Sequence, residues 1–115
     1  MNEIIACQQT KRRILIVDDE PYNLIGLRVI INAAFDDGGI DELIDQVQNG
    51  LEALEAVSNA IDFHYGLIFM DCSMPVMDGY EATQKIRALQ NIEQPMIVAC
   101  TGHSEPEYIK KAFRH

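Results

Sequence analysis

Ile14-Leu15-Ile16-Val17 runs straight into Asp18-Asp19-Glu20-Pro21, and the fold follows from reading that junction. A continuous, largely β-branched run of this length suits a strand buried on both faces, as parallel strands are. Acidic residues followed by proline mark a helix start, because proline fixes φ and lacks the N–H that the first helical turn leaves unused. Leu24, Leu27, Ile31 and Ala34 then recur at helical spacing, and Asp36-Asp37-Gly38-Gly39 ends that helix. Downstream the order repeats. Gln46–Gln48 reads as a short edge strand, Asn49-Gly50 as a turn, and Leu51, Leu54, Val57 and Ile61 as a second helix flanked by alanines. Leu67-Ile68-Phe69-Met70 is a buried strand ending at Asp71. A loop with Pro75 and Asp78-Gly79 follows, then a helix from Tyr80 to Leu89 whose apolar positions include Ile86. Met96-Ile97-Val98-Ala99-Cys100 is a further strand, ending at Thr101-Gly102. Ser104 caps a last helix, with Pro106 in its first turn and Ile109, Ala112 and Phe113 on its inner face. The order β-α-β-α-β-α-β-α predicts an α/β fold, a doubly wound parallel sheet with right-handed crossovers and helices on both faces.

Size and charge narrow the function. The chain has 115 residues, 48% of them hydrophobic and 23% charged, which fits one globular domain and not a disordered chain. That domain is read as residues 11–115, with residues 1–10 as a flexible leader. Nine basic against 18 acidic residues give a net charge of −9. This speaks against general nucleic-acid binding and attraction to an anionic membrane surface, and it favours cations, metal ions among them. No run approaches the ~18 apolar residues of a membrane span. Residues 1–10 lack the basic start and long apolar stretch of a secretory signal. Cys7, Cys72 and Cys100 are odd in number and show no CxxC spacing. They argue against a disulfide framework or zinc site and fit a reducing, cytoplasmic setting.

In an open parallel sheet, ligands bind beyond the carboxyl ends of the strands. There the sequence collects Asp18, Asp19, Asp71 and the Thr101 hydroxyl. Three close carboxylates repel one another, and a hard divalent cation resolves this. Mg²⁺ takes oxygen ligands and keeps several waters, so a few carboxylates suffice, and it would bind a phosphoryl oxygen as well. The bland reading makes each acid a helix cap or strand-end solubiliser. It suits Asp78, beside Gly79, better than the trio, whose members all end very apolar strands. Thr101 could simply bond nearby backbone; beside three acids it reads instead as a donor to a phosphoryl oxygen. Cys72 and Cys100 read as small packing residues and not nucleophiles. Met70, Met74 and Met77 read as core or loop filler, and Lys11-Arg12-Arg13 as a solvated strand start.

Three blocks carry a family resemblance: ILIVDDEPYN at residues 14–23, MDCSMPVMDGYEAT at 70–83 and MIVACTGH at 96–103. Through them the chain resembles the receiver domain of two-component response regulators and phosphorelay proteins, from about Arg12 to the chain's end. The resemblance implies a flavodoxin-like three-layer α/β/α fold. It implies that Asp71 accepts a phosphoryl group from a phosphohistidine on a sensor histidine kinase or histidine phosphotransfer protein. Asp19 matches the direct Mg²⁺ ligand, Asp18 the one acting largely through water, and the Ser73 backbone carbonyl the third protein ligand. Thr101 matches the switch hydroxyl, Pro75 and Gly79 shape the loop, and the side chains of Ser73 and His103 match positions that set acyl-phosphate lifetime.

The family has five β-α units, and the fifth, with its lysine, is missing here; Lys110 and Lys111 lie in the wrong element to replace it. The expectation is a truncated receiver, a sheet completed by a second copy in a homodimer, or a degenerate module that binds partners without phosphorylation. Other classes fit less well. A small-molecule phosphatase needs a second acid near Asp71, where Cys72 and Ser73 stand. A nucleotide-binding half-domain needs GxGxxG or GxxxxGK[ST], and neither follows a strand.

Overall fold

The computed structural model describes residues 11–35, 39–72, 74 and 76–100. The leader, Ser73, Pro75 and everything from Thr101 onward, including the expected last helix, lie outside the described residues. Strand β1 spans Lys11–Val17, helix α1 Pro21–Ala34, β2 Ile44–Val47, α2 Gly50–Ser58, β3 Phe63–Asp71, α3 Gly79–Ala88 and β4 Met96–Cys100, with a short 3₁₀ turn at Ile40–Leu43 before β2. All strand pairs are parallel, in the order β2-β1-β3-β4. The doubly wound α/β sheet is therefore present.

Alternation along β1 divides the core. Ile14 and Ile16 pack under α1 with Leu24, Ile31, Ile40 and Ile44. Leu15 and Val17 point the other way, into a cluster with Ile68, Met70 and Ile97 of the sheet, Ala53 and Val57 of α2, and Ala82 and Ile86 of α3. Two buried faces explain why β1 reads as a continuous apolar run. In β3 the register shifts where Arg13 pairs with Tyr65 but Ile14 with Leu67. The extra residue is Gly66, and it turns Tyr65 to the α2/α3 face, against Ile68 and Met70.

Element boundaries move where local pattern is weak. The edge strand lies at Ile44–Val47, not Gln46–Gln48, because Ile44 is pulled into the α1 cluster. On α2 the inner positions are Ala53 and Val57, while Leu51 is exposed and Ile61 lies beyond the helix in solvent. A small residue at position 53 lets the helix sit close to the sheet. On α1 Ala34 is exposed, and Tyr22, Ile25, Val29 and Ile30 also face outward.

The amino ends of the strands carry a polar network not anticipated from the basic start of β1. Arg13 forks onto Asp45 through Nε at 2.9 Å and Nη2 at 2.8 Å, and the Tyr65 hydroxyl donates to the same carboxylate at 2.7 Å. The guanidinium also lies 5.8 Å from the centre of the Phe63 ring. Hydrogen bonding from Arg13 holds the Asp45 carboxyl below its ordinary range against the opposing effect of burial, and Tyr65 adds to the lowering. Burial, then the bond to Asp45, pushes the Tyr65 phenol up. The lowered carboxyl contributes stability above its unfolded pKa of about 4, lost as pH falls through the folded value. The raised phenol contributes stability below about pH 10, lost as pH rises past it. Asp45→Ala is expected to cost about 1–2 kcal/mol at pH 7, since it strands the Tyr65 hydroxyl and Arg13. Urea titrations across pH check this: the gap to the parent should shrink below pH 4, and a gap constant to pH 2 would refute it.

Candidate functional site

The strand order reverses direction between β1 and β3: the chain leaves β1 toward β2 on one side and β3 toward β4 on the other. Such a switch point opens a crevice at the carboxyl edge. Asp18 and Asp19 follow β1 there, and Asp71 is the last residue of β3. One carboxylate oxygen from each of the three lies within 4.8 Å of the others. Octahedral bonds of about 2.0–2.1 Å to one cation would set ligand oxygens roughly 3–4 Å apart. Small side-chain rotations close the difference, so the donor set fits a small, hard divalent cation.

Local structure aims these acids. The Asp18 Oδ1 accepts from the Glu20 amide at 2.9 Å and from the Asn23 side chain at 3.4 Å. This is an Asx-type turn that also starts α1, where Glu20 offers no side-chain cap. The cap reading of Asp18 is thus partly right, and it is compatible with a ligand role through the other oxygen. Asp78, by contrast, is a cap: its carboxylate accepts from the Glu81 amide at 2.9 Å. A cavity of about 400 Å³ opens beside the acids, lined by Asp18 and Asp71 with Tyr22, Asn23, Leu27 and Cys100.

The thiols are packing groups. Cys72 is buried against Tyr80, and burial pushes its thiol up. Burial first, then Cys72 and the neighbouring acids, raises the Cys100 thiol to about 11, so neither is a ready nucleophile. Met70 is core, and Met74 and Met77 pack against it.

Sequence reasoning missed how tightly the backbone closes around Asp71. A Cβ on Gly79 would run into the Asp71 carbonyl oxygen and stand 2.9 Å from Cys72 Cα. Gly50, read only as part of a turn, is wedged against Met77 in the loop after β3. Val76 holds φ 72°, a costly region for a β-branched residue. Asn49-Gly50 and Asp78-Gly79 both carry a turn signal in the sequence, but neither signal reveals these close backbone approaches. Thr101, Ser73 and His103 lie outside the described residues.

Comparison with known proteins agrees with this geometry. The family model described as response regulator receiver domain matches residues 14–115. The chain belongs to the response regulator receiver domain family. It is 42% identical over 77 residues to the two-component response regulator ORR41 of Oryza sativa subsp. japonica, covering 67% of this chain and 57% of that protein. Among solved structures, the receiver domain of histidine kinase CKI1 from Arabidopsis thaliana, complexed with Mg²⁺ and BeF₃⁻, matches with a TM-score of 0.65 at 30% identity, covering 90% of this chain and 74% of that one. The receiver domain of sensor histidine kinase PA1611 from Pseudomonas aeruginosa, with magnesium in its active-site cleft, matches with a TM-score of 0.66 at 26% identity over 92% of this chain and 79% of that one. The chain is thus a receiver domain of two-component signalling with a flavodoxin-like fold. No helix among the described residues is long and apolar enough to cross a membrane.

Proposed function

We propose that this receiver domain is a phosphoacceptor in a phosphorelay, with Asp71 as the acceptor and Mg²⁺ as its cofactor. The reading is carried by the approach of the Asp18, Asp19 and Asp71 carboxylate oxygens to within 4.8 Å of one another. Asp18, Asp19 and Asp71, with the Ser73 backbone carbonyl, would hold the ion. Bound Mg²⁺ supplies charge neutralisation for the phosphoryl oxygens. An Asp71 carboxylate oxygen attacks the phosphorus of a phosphohistidine on a histidine kinase or histidine phosphotransfer protein. The P–N bond breaks, its electron pair returns to the imidazole, and the partner regains a neutral histidine after taking up a proton. Little covalent machinery is needed, because phosphoryl transfer depends on positioning and electrostatics. The product carries about −1.5 to −2 charge where one carboxylate charge stood. The Thr101 hydroxyl would answer that change by donating to a phosphoryl oxygen, biasing which partner binds. A cytoplasmic location fits such partners.

Intact mass after incubation with Mg²⁺ and a small phosphoramidate tests this. The parent should gain one phosphoryl group and Asp71→Asn none. A folded, cation-binding parent that gains nothing would reduce the domain to a partner-binding module.

A further inference from the structure

The Asn49-Gly50 turn touches both carboxylate-bearing segments. On one side the Asp18 amide donates to the Val47 carbonyl at 3.2 Å, where β2 enters the turn. On the other the Gly50 amide donates to the Met77 carbonyl at 2.9 Å. Met77 belongs to the segment that returns to β3, where the Gly79 amide donates to the Cys72 carbonyl at 3.4 Å. Gly50 is buried. A Cβ there would run into the Met77 carbonyl and stand 3.0 Å from both the Asp78 carbonyl oxygen and Ala82 Cβ. The turn itself is braced. Asn49 Oδ1 accepts from the Glu52 amide at 2.9 Å, and Glu52 Oε1 accepts from the Gln48 amide at 2.8 Å, a capping box displaced by one residue.

We propose that Gly50 is a positioning residue for the acidic pocket. Its amide contact with Met77, made at a distance no side chain permits, sets how far the Asp18-Asp19 segment stands from the segment after Asp71. Closure of this turn and cation binding by the three carboxylates are therefore coupled. The inference rests on the cation site proposed above. Coupling is reciprocal: if a closed turn favours the cation, the cation favours the closed turn.

The test uses the full chain, titrated with Mg²⁺ alone. Hydrogen exchange at the Gly50 amide should slow when Mg²⁺ is added, by more than at Val57 inside α2. Gly50→Ala should bind Mg²⁺ about tenfold more weakly, the scale on which groups supporting metal ligands act. Lost stability alone would leave the affinity of the folded fraction unchanged. If Gly50→Ala does not fold, the exchange measurement on the parent decides. Mg²⁺ binding with unaltered Gly50 exchange, or with affinity in a folded Gly50→Ala within twofold of the parent, overturns the coupling. Failure of the parent to bind Mg²⁺ overturns the cation site itself, and the inference with it.

Discussion

Gly79→Ala lowers the unfolding free energy by roughly 2–4 kcal/mol, among the larger effects expected of a single methyl group. The added carbon meets backbone, the Asp71 carbonyl oxygen and Cys72 Cα, and not the movable end of a side chain. Asp71 and Cys72 are tied to β4: Asp71 is paired with Cys100 in the sheet, and the Cys72 amide donates to the Cys100 carbonyl at 3.2 Å. Relief must therefore come from moving α3 outward, which strips Tyr80, Ala82 and Ile86 from the core they bury against. Gly26→Ala is the control. A Cβ there has nothing within 4 Å, and its place inside α1 predicts a gain of about 0.5–1 kcal/mol from reduced backbone freedom in the unfolded chain. Thermal unfolding of both variants separates the effects: a fall of about 10 °C or more for the first, a small rise for the second. Equal midpoints would mean that the loop after β3 is far more yielding than its contacts imply.

What could be read from the sequence, and what could not, divides along physical lines. Ile14–Val17 and Leu67–Met70 announced themselves because strands buried on both faces tolerate no polar residue, and their order fixed the sheet. The acids at their ends were legible for the same reason, since a charge terminating an apolar run has few structural excuses. Pattern alone starts the edge strand two residues late, at Gln46 instead of Ile44, because an edge strand alternates only weakly and its anchor, Ile44, is recruited by packing against the preceding helix. Periodicity leaves Ala53 on a flank, because small size, not hydrophobicity, puts it inside. The Arg13–Asp45–Tyr65 network depends on the Gly66 bulge turning Tyr65 toward α2 and α3, and a one-residue parity switch in a strand has no signature in composition. Gly50 was visible as a turn residue, but its contact with Met77 is a tertiary fact.

Asp19→Asn should move stability in opposite directions with and without cation. At oxygen separations of 4.8 Å or less, each pair of carboxylates repels by about 1 kcal/mol in water-like surroundings. Asp19 is exposed, so salt screens much of this. In a chelator at low ionic strength the variant should be more stable than the parent by about 1 kcal/mol. In Mg²⁺ at a hundred times the parent's Kd, binding stabilises the parent by about 2.7 kcal/mol. The variant, having lost a ligand charge, gains far less, and the order reverses. Urea melts in chelator and in saturating Mg²⁺ measure both arms. A variant less stable than the parent under both conditions would make Asp19 a structural group and remove it from the site. The crossover, by contrast, is the signature of a site that gives up stability in order to bind. The fold holds three acids close against their own repulsion, and the crossover would tie that repulsion to the cation site proposed for Asp71.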